Sequence, residues 1–459
     1  MPRPQRDQEL DLGIIDLAFG GMGVARDDGY VLFVPDTVTG DRARVRVRKA
    51  RRKYGEADLL EVLEPSPDRI PVECPYIPRC GGCRLQHVRY EATLAAKRDQ
   101  VREHLARIGH LHDVDVRPTV GAVATRGYRN KMEYSASVGT DGAMVLGFHR
   151  RGRWDEVVDV RACQLATPRG DKVRETVRRW AEDVGAAPYD QRAQAGWLRH
   201  VVVREGIRTD QLLVTVVTAP GGAGDVDALA EPLRAAHPEV VGLLHAVNDG
   251  MAETTQGLPT RVVWGEDAFE EVVCGVRLRL SAPSFFQTNT EMTDVLYGHV
   301  AEAAGLDGSQ TVYDLFCGVG SIGLALGAQA RAIVGIEIVP EAVEDARANA
   351  AANGITNHTA LCGDVGRVMT ENRGSLPACD VAIVDPPRAG LDGRAIRRIL
   401  ELAPPVLVYV SCQPANFAQN AAAFVAGGYR LEYVQPVDMF PQTAHIEAVA
   451  RFVRDDTPA

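Results

Sequence analysis

The sequence contains no apolar run approaching the roughly twenty residues needed to cross a bilayer, and its start, MPRPQRDQEL, is charged where a secretion signal has an apolar core. No membrane is therefore expected as a partner, and a cytoplasmic location is. An overall basic excess is missing too: 51 Lys and Arg stand against 61 Asp and Glu, a formal net charge of -10. A uniformly positive surface for nucleic acid is thereby excluded, although local patches are not. There is no internal repeat or low-complexity tract. The nine cysteines are an odd number, which in a reducing compartment disfavours a disulfide framework and leaves metal ligation, catalysis or burial. At 459 residues, 46% apolar and 24% charged, the chain is a globular protein of two or three domains, with nothing that calls for an obligate protein partner.

What is present falls into three regions. In residues 8–66 short strand-like runs alternate with glycine turns, and RARVRVR has a period of two. That period puts Arg42, Arg44, Arg46 and Arg48 on one face of a strand and Ala43, Val45 and Val47 on the other. Residues 42–53 hold eight basic side chains and no acidic one, so a locally positive barrel wall is expected. This region resembles a TRAM domain, an oligonucleotide-binding-like barrel, in its strand pattern, its GMGVA, its GD and its PSPDR; the resemblance implies RNA as a partner. Residues 67–283 read as a less regular α+β region, with a hairpin-like stretch at 198–218 and a helix over 90–109 that packs on the catalytic domain in this reading. From 284 to 459 apolar strand-length runs alternate with helical segments, which implies a parallel sheet covered on both faces, with ligands at the carboxyl ends of its strands.

Several of those strand ends carry polar residues. YDLFCGVGS runs from a strand into a glycine turn, where Asp314 can accept hydrogen bonds from turn amides or a bound amine. Glu337 ends the next strand 17 residues past Gly320, near the spacing of an acid that holds ribose hydroxyls. Asp364 ends a third and suits an adenine amino group; Asp385 opens DPPR at a fourth. GVGSIG also fits a dinucleotide-binding pattern, but the preceding DLFCG and the later DPP favour S-adenosylmethionine over NAD.

The reaction follows from what comes after DPP and from VYVSCQP. Enzymes that methylate exocyclic amines usually place an aromatic after this motif, and here Arg388 follows. Carbon methylation of uracil needs a nucleophile to add at C6 so that C5 becomes enolate-like. Cys412, at the end of a strand, meets that need, with Arg388 a source of positive potential for its thiolate. A base must then remove the C5 proton; Glu447 is the first choice and His445 the weaker rival. Cys274, Cys317, Cys362 and Cys379 are expected to fill cores.

Taken together, SCQP, FFQTN, DLFCGVG, DPPRAGL and FPQTAHIE resemble the RNA uracil-C5 methyltransferase family, which makes 5-methyluridine in tRNA and ribosomal RNA, and with CGGCRLQH the likeness covers nearly the whole chain. It implies a Rossmann-like class I S-adenosylmethionine methyltransferase domain over 284–459, behind the TRAM barrel and the central α+β domain. By the same resemblance Cys412 is the nucleophile, Glu447 the base, and Gln287, Phe316, Ser321, Glu337, Asp364 and Asp385 contact cofactor or uracil. Gln413 stands where the family usually has Asn, a departure that touches loop detail.

CPYIPRCGGC gives C-x5-C-x2-C at Cys74, Cys80 and Cys83, with Cys163 a distant fourth. Such a set suits tetrahedral zinc or an iron-sulfur cubane, and spacing alone does not choose. The resemblance implies a 4Fe-4S cluster. The C-x3-C-x2-C of radical enzymes is absent. A target uracil must flip out of folded RNA to reach a sheet edge; the strand at 42–48 and Arg129 and Lys131 in YRNK are candidate phosphate contacts, or else solvated strand residues. Two other classes fit less of the sequence: a non-catalytic RNA-binding protein or chaperone on the same fold, and an iron-sulfur redox protein.

Overall fold

In the barrel the alternation of RARVRVR decides which side chains are enclosed. The structure, a computed structural model, describes residues 3–139, 142–222, 224–255, 257–372 and 374–455. Five strands, β1 (Glu9–Ala18), β2 (Met22–Asp27), β3 (Tyr30–Pro35), β4 (Arg42–Ala50) and β5 (Tyr54–Glu64), close in the order β1-β2-β3-β5-β4. Ala43, Val45 and Val47 are fully buried and pack with Leu12, Ile14, Leu32 and Val34. The arginines of β4 point outward but do not make a positive wall. Arg42 pairs with Glu64 at 2.8 Å, Arg44 with Asp11 at 2.9 Å, Arg46 with Glu9 at 2.8 Å and Arg48 with Glu56 at 2.7 Å. β4 lies between β1 and β5, and both present acids at the facing positions. Cross-strand pairing thus cancels the charge of these four arginines, half of the eight basic side chains in residues 42–53.

Helix α1 (Tyr90–Arg107) follows the cysteine-rich segment, and β6 (Asp115–Val116) follows it. A seven-stranded sheet comes next, built from β7 (Lys131–Val138), β8 (Met144–His149), β9 (Val157–Asp159), β10 (Leu198–Gly206), β11 (Gln211–Thr218), β12 (Val240–Val247) and β13 (Thr260–Gly265), in the order β13-β12-β11-β10-β7-β8-β9. The 198–218 stretch is an antiparallel pair, β10 with β11. Helices α2 (Pro168–Asp183) and α3 (Ala230–Ala236) accompany this sheet. α2 is started by Thr167, whose hydroxyl accepts from the Gly170 amide at 3.0 Å, with Pro168 in the first turn. A hairpin, β14 (Ala268–Val273) and β15 (Val276–Ser281), leads into α4 (Thr290–Ala304).

The last unit is an open sheet of β16 (Thr311–Leu315), β17 (Ala332–Glu337), β18 (His358–Cys362), β19 (Val381–Val384), β20 (Val406–Ser411), β21 (Tyr429–Val437) and β22 (Glu447–Arg454), joined at its edge by β6. The order is β18-β17-β16-β19-β20-β22-β21-β6. β16 to β20 run parallel, and only β22 enters antiparallel between β20 and β21. Helices α5 (Ser321–Ala325), α6 (Pro340–Ala352), α7 (Val365–Glu371), α8 (Gly393–Leu402) and α9 (Pro414–Ala426) connect the strands, and two apolar cores lie on the sheet's two faces. Double coverage is why these strands read as continuous apolar runs. The chain moves outward from β16 to β18 and then returns to β19, so the switch in strand order opens a crevice at the carboxyl ends of β16 and β19. α1 packs on α9, and β6 pairs with β21. Among the described residues no helix is long and apolar enough to cross a membrane.

Candidate active site

Four neighbouring strands end at the crevice with the residues singled out from the sequence. After β16 the backbone turns sharply: Gly318 and Gly320 have φ of 54° and 78°, and Phe316, a bulky residue, also takes φ 66°. That left-handed φ is costly for a side chain with a Cβ, and such strain collects at functional turns. Glu337, at the end of β17, reaches across to accept from the Gly318 amide at 3.0 Å, while its other oxygen accepts from the Ile338 and Val339 amides. Asp364, after β18, caps α7 by accepting from the Arg367 amide at 3.0 Å. Ser321, the first residue of α5, shares a 2.6 Å hydrogen bond with the Tyr297 hydroxyl. Gln287 is buried beside the entrance to α4, where its carbonyl accepts from Asn130 Nδ2 at 3.0 Å.

Asp314 is fully buried in β16. One oxygen accepts from the Gly323 amide at 2.9 Å and the other, Oδ1, has no partner. Burial is the main reason its pKa is pushed up to about 7. An orphaned buried acceptor at a strand end marks a place where a ligand donor is wanted. Asp385, after β19, is raised as well, first by burial and then by the charge of Asp314.

Cys412 and Glu447 meet by strand register. β20 and β22 pair with Ser411 opposite Ala448, so the next positions outward, Cys412 and Glu447, sit side by side where the two strands end. Burial, then the charges of Glu447 and Asp385, push the Cys412 thiol up to about 12, with Arg388 acting in the opposite direction. Glu447 is buried and is raised well above the usual carboxylate range by burial and Asp385, again opposed by Arg388. Three acidic groups that discourage one another's ionisation beside one guanidinium form a proton-retaining site. His445, the rival base, is lowered to about 4 by burial and the surrounding cations, Arg388 first, so it carries no charge near neutrality.

The cysteine-rich segment forms a second feature. Cys74, Cys80, Cys83 and Cys163 line one cavity of about 340 Å³, together with Arg129, Lys131 and Phe286. Among the described residues, however, no three Cys, His, Asp or Glu side chains stand close enough to make a ready cation site. The expected metal-ligand set is therefore gathered around a space and not closed about a point. Donors do address the sulfurs: the Gly82 amide reaches Cys80 Sγ at 3.4 Å, Gln86 faces Cys83, and the Leu165 and Ala166 amides face Cys163. Burial pushes the Cys83 thiol up to about 12. Of the cysteines assigned to cores, Cys317 and Cys379 are buried, but Cys274 and Cys362 are exposed, because each falls at a strand terminus where apolar cover ends.

Comparison with known proteins decides what this arrangement belongs to. An uncharacterized RNA methyltransferase of Halalkalibacterium halodurans is 40% identical over 445 residues, 97% of each chain, and one of Bacillus cereus is 36% identical over 453 residues, 99% of this chain and 98% of the relative. Residues 273–454 match the tRNA (uracil-5-)-methyltransferase family. The chain belongs to that family of RNA methyltransferases. Residues 5–60 of the methyltransferase match the TRAM domain, in agreement with the five-stranded barrel. The solved structure of the Pyrococcus abyssi tRNA (uracil-54, C5)-methyltransferase with S-adenosyl-L-homocysteine superposes with a TM-score of 0.77 at 28% identity, covering 96% of this chain and 99% of that one. The C-terminal sheet is thus an S-adenosylmethionine-dependent methyltransferase fold, and S-adenosylmethionine is its methyl donor.

Sequence reading missed one element of the methyltransferase's site. Lys97 of α1 donates to Asp438 at 2.6 Å, both side chains being buried, and Tyr90 donates to the other carboxylate oxygen at 2.8 Å. Asp438 begins the loop that delivers Glu447. The signal was present: Thr93, Lys97, Val101 and Leu105 lie at helical spacing on the buried stripe of α1, and a lysine on such a stripe needs an acid.

Proposed function

We propose that the protein transfers a methyl group from S-adenosylmethionine to C5 of a uridine in tRNA or ribosomal RNA, giving 5-methyluridine. The adjacency of Cys412 and Glu447 at the ends of β20 and β22 carries this reading. Cys412 Sγ adds to C6, the electron pair moves to C5, and C5 takes the methyl group. Glu447 then removes the C5 proton, and the Sγ–C6 bond breaks as the C5=C6 double bond returns. A carboxylate whose pKa has been raised is a stronger base once ionised than one in open solvent, which suits Glu447 to this step. Arg388 favours the thiolate, and it is the cation the site supplies against burial and two acids.

Asp314, with its orphaned oxygen, suits the donor's amino group, Glu337 its ribose and Asp364 its adenine, while Phe316 and Ser321 shape the turn beneath it. Gln287 and Asp385 line the uracil side. RNA containing 5-fluorouracil has no abstractable C5 proton and should trap a covalent complex with the wild-type protein. Formation of the same adduct by Cys412→Ala would overturn the assignment. Sequencing RNA from a strain without the protein for lost 5-methyluridine identifies the site.

The four cysteines fit a 4Fe-4S cluster: four thiols around one cavity, with N–H donors directed at three of them, is a donor set that stabilises thiolate ligands. Cys74, Cys80, Cys83 and Cys163 would hold the cluster, which would tie the 74–83 segment to Cys163. Iron and sulfide analysis of anaerobically purified protein tests this, and stoichiometric zinc without iron refutes it.

A further inference from the structure

Most charge near the crevice is cancelled within the protein. Lys131 pairs with Glu133 at 2.7 Å, Lys97 with Asp438, and Arg151 with Asp36 at 2.5 Å. Arg84, Arg129 and Arg388 differ: among the described residues none has a carboxylate at ion-pair distance. They come from three distant parts of the chain; the backbone at Arg84 and beside Arg129 is tied to the loop that follows β21, and Arg388 lies at the Cys412 crevice. The Arg84 amide donates to the Gln442 carbonyl at 2.9 Å. Beside Arg129, Tyr128 donates to the Pro441 carbonyl at 3.0 Å, and Asn289, which bridges to Arg129 along the backbone, donates to the Met439 carbonyl at 3.0 Å. Arg388 lines the same small crevice as Ser411 and Cys412. All three act electrostatically on His445 in that loop. Arg129 Nε is in addition buried with no hydrogen-bond partner, a donor waiting for an acceptor.

We propose that Arg84, Arg129 and Arg388 together form the seat for the RNA phosphodiester backbone flanking the target nucleotide, a role the sequence had suggested for the β4 arginines, Arg129 and Lys131. Among the described residues Arg84 and Arg129 have no carboxylate of their own to pair with, Arg388 faces the acids of the crevice without an ion-pair contact, and an anion from outside supplies the missing partner. Guanidinium forks match phosphate oxygens in geometry, and a flipped nucleotide needs its backbone held on both sides. The barrel strand offers no comparable demand, since each of its arginines already has a carboxylate.

The inference rests on RNA being the substrate but not on the covalent chemistry, so the test uses binding without turnover. The probe is a 15-nucleotide single-stranded RNA with a central uridine, titrated against S-adenosylhomocysteine-loaded protein at several salt concentrations. Its partner probe has neutral methylphosphonates on either side of that uridine. Wild-type protein should bind the neutral probe on the order of tenfold more weakly, the scale of a charge-assisted contact. Arg84→Ala and Arg129→Ala should each flatten the slope of log K against log salt by about 0.7. The double variant should cease to distinguish the probes, and Arg→Lys at both positions should restore part of the discrimination. Equal wild-type binding of the two probes overturns the proposal even if the alanine variants fail to fold. So does a slope that responds to Arg44→Ala and Arg46→Ala but not to Arg84→Ala and Arg129→Ala.

Discussion

Replacing Lys97 by Met isolates the value of the buried ion pair that links α1 to the Glu447 loop. The ammonium and the Asp438 carboxylate are 2.6 Å apart, with side chains 2% and 0% exposed. Removing the cation leaves a buried carboxylate whose remaining side-chain donor is Tyr90, itself tied to the Ala122 amide at 2.7 Å. An orphaned buried charge of this kind costs about 3–5 kcal/mol. Lys97→Met combined with Asp438→Asn removes the charge but keeps an acceptor for Tyr90, so most of the loss should return, a coupling of at least about 2 kcal/mol. Denaturant unfolding followed by tryptophan fluorescence and circular dichroism together measures both variants, and the two probes show whether a single transition describes them. A single variant within about 1 kcal/mol of wild type would mean that the pair behaves like a solvated bridge, and the reasoning from burial would be wrong.

Three further outcomes follow from the site. Glu447→Gln should slow multiple turnover by on the order of 10²- to 10⁴-fold and accumulate a protein–RNA adduct with ordinary substrate, seen as a shifted band on denaturing gels; slow turnover without adduct would assign the residue elsewhere. With the Cys412 thiol pushed up to about 12, iodoacetamide labelling of Cys412 in the ligand-free protein should climb steadily from pH 7 to 10, and a plateau near pH 7 would contradict a proton-retaining crevice. Asp314, raised to about 7 from 3.8, holds its proton in the folded state where the unfolded chain has lost it. Its contribution to stability is therefore complete below about pH 4 and disappears as pH rises towards 7. Asp314→Asn should flatten that part of the thermal-stability profile, and an unchanged profile would remove Asp314 from the account.

Much of the catalytic sheet was legible because a doubly covered parallel sheet leaves an unambiguous trace: apolar runs interrupted near their ends by Asp314 and stopped at Glu337, Asp385 and Cys412. Polar residues at those stops have to face the crevice, so local sequence suffices to locate them. Pairing across strands leaves no such trace. The acids that neutralise Arg42, Arg44, Arg46 and Arg48 lie on strands whose register no linear spacing reveals, so the arginines read as an exposed positive wall. Arg84 is unremarkable in the sequence for the converse reason: what sets it apart is the lack of a partner, which appears only once every nearby carboxylate has been placed. The cysteines show both cases, since their spacing indicates that they share a location but not how far apart the sulfurs stand.

The pairing of β6 with β21 has a consequence for biosynthesis. Val116 aligns with Val434, 318 residues later. At about 5–20 residues per second a ribosome needs roughly 15–65 s to bring the second partner out. Over that interval the early segment has no strand to join, and the seven-stranded sheet and the barrel can form while the methyl-transferring half is still being made. The strand that is made early is therefore paired late: the nascent chain gains a finished sheet edge only when its last strands arrive.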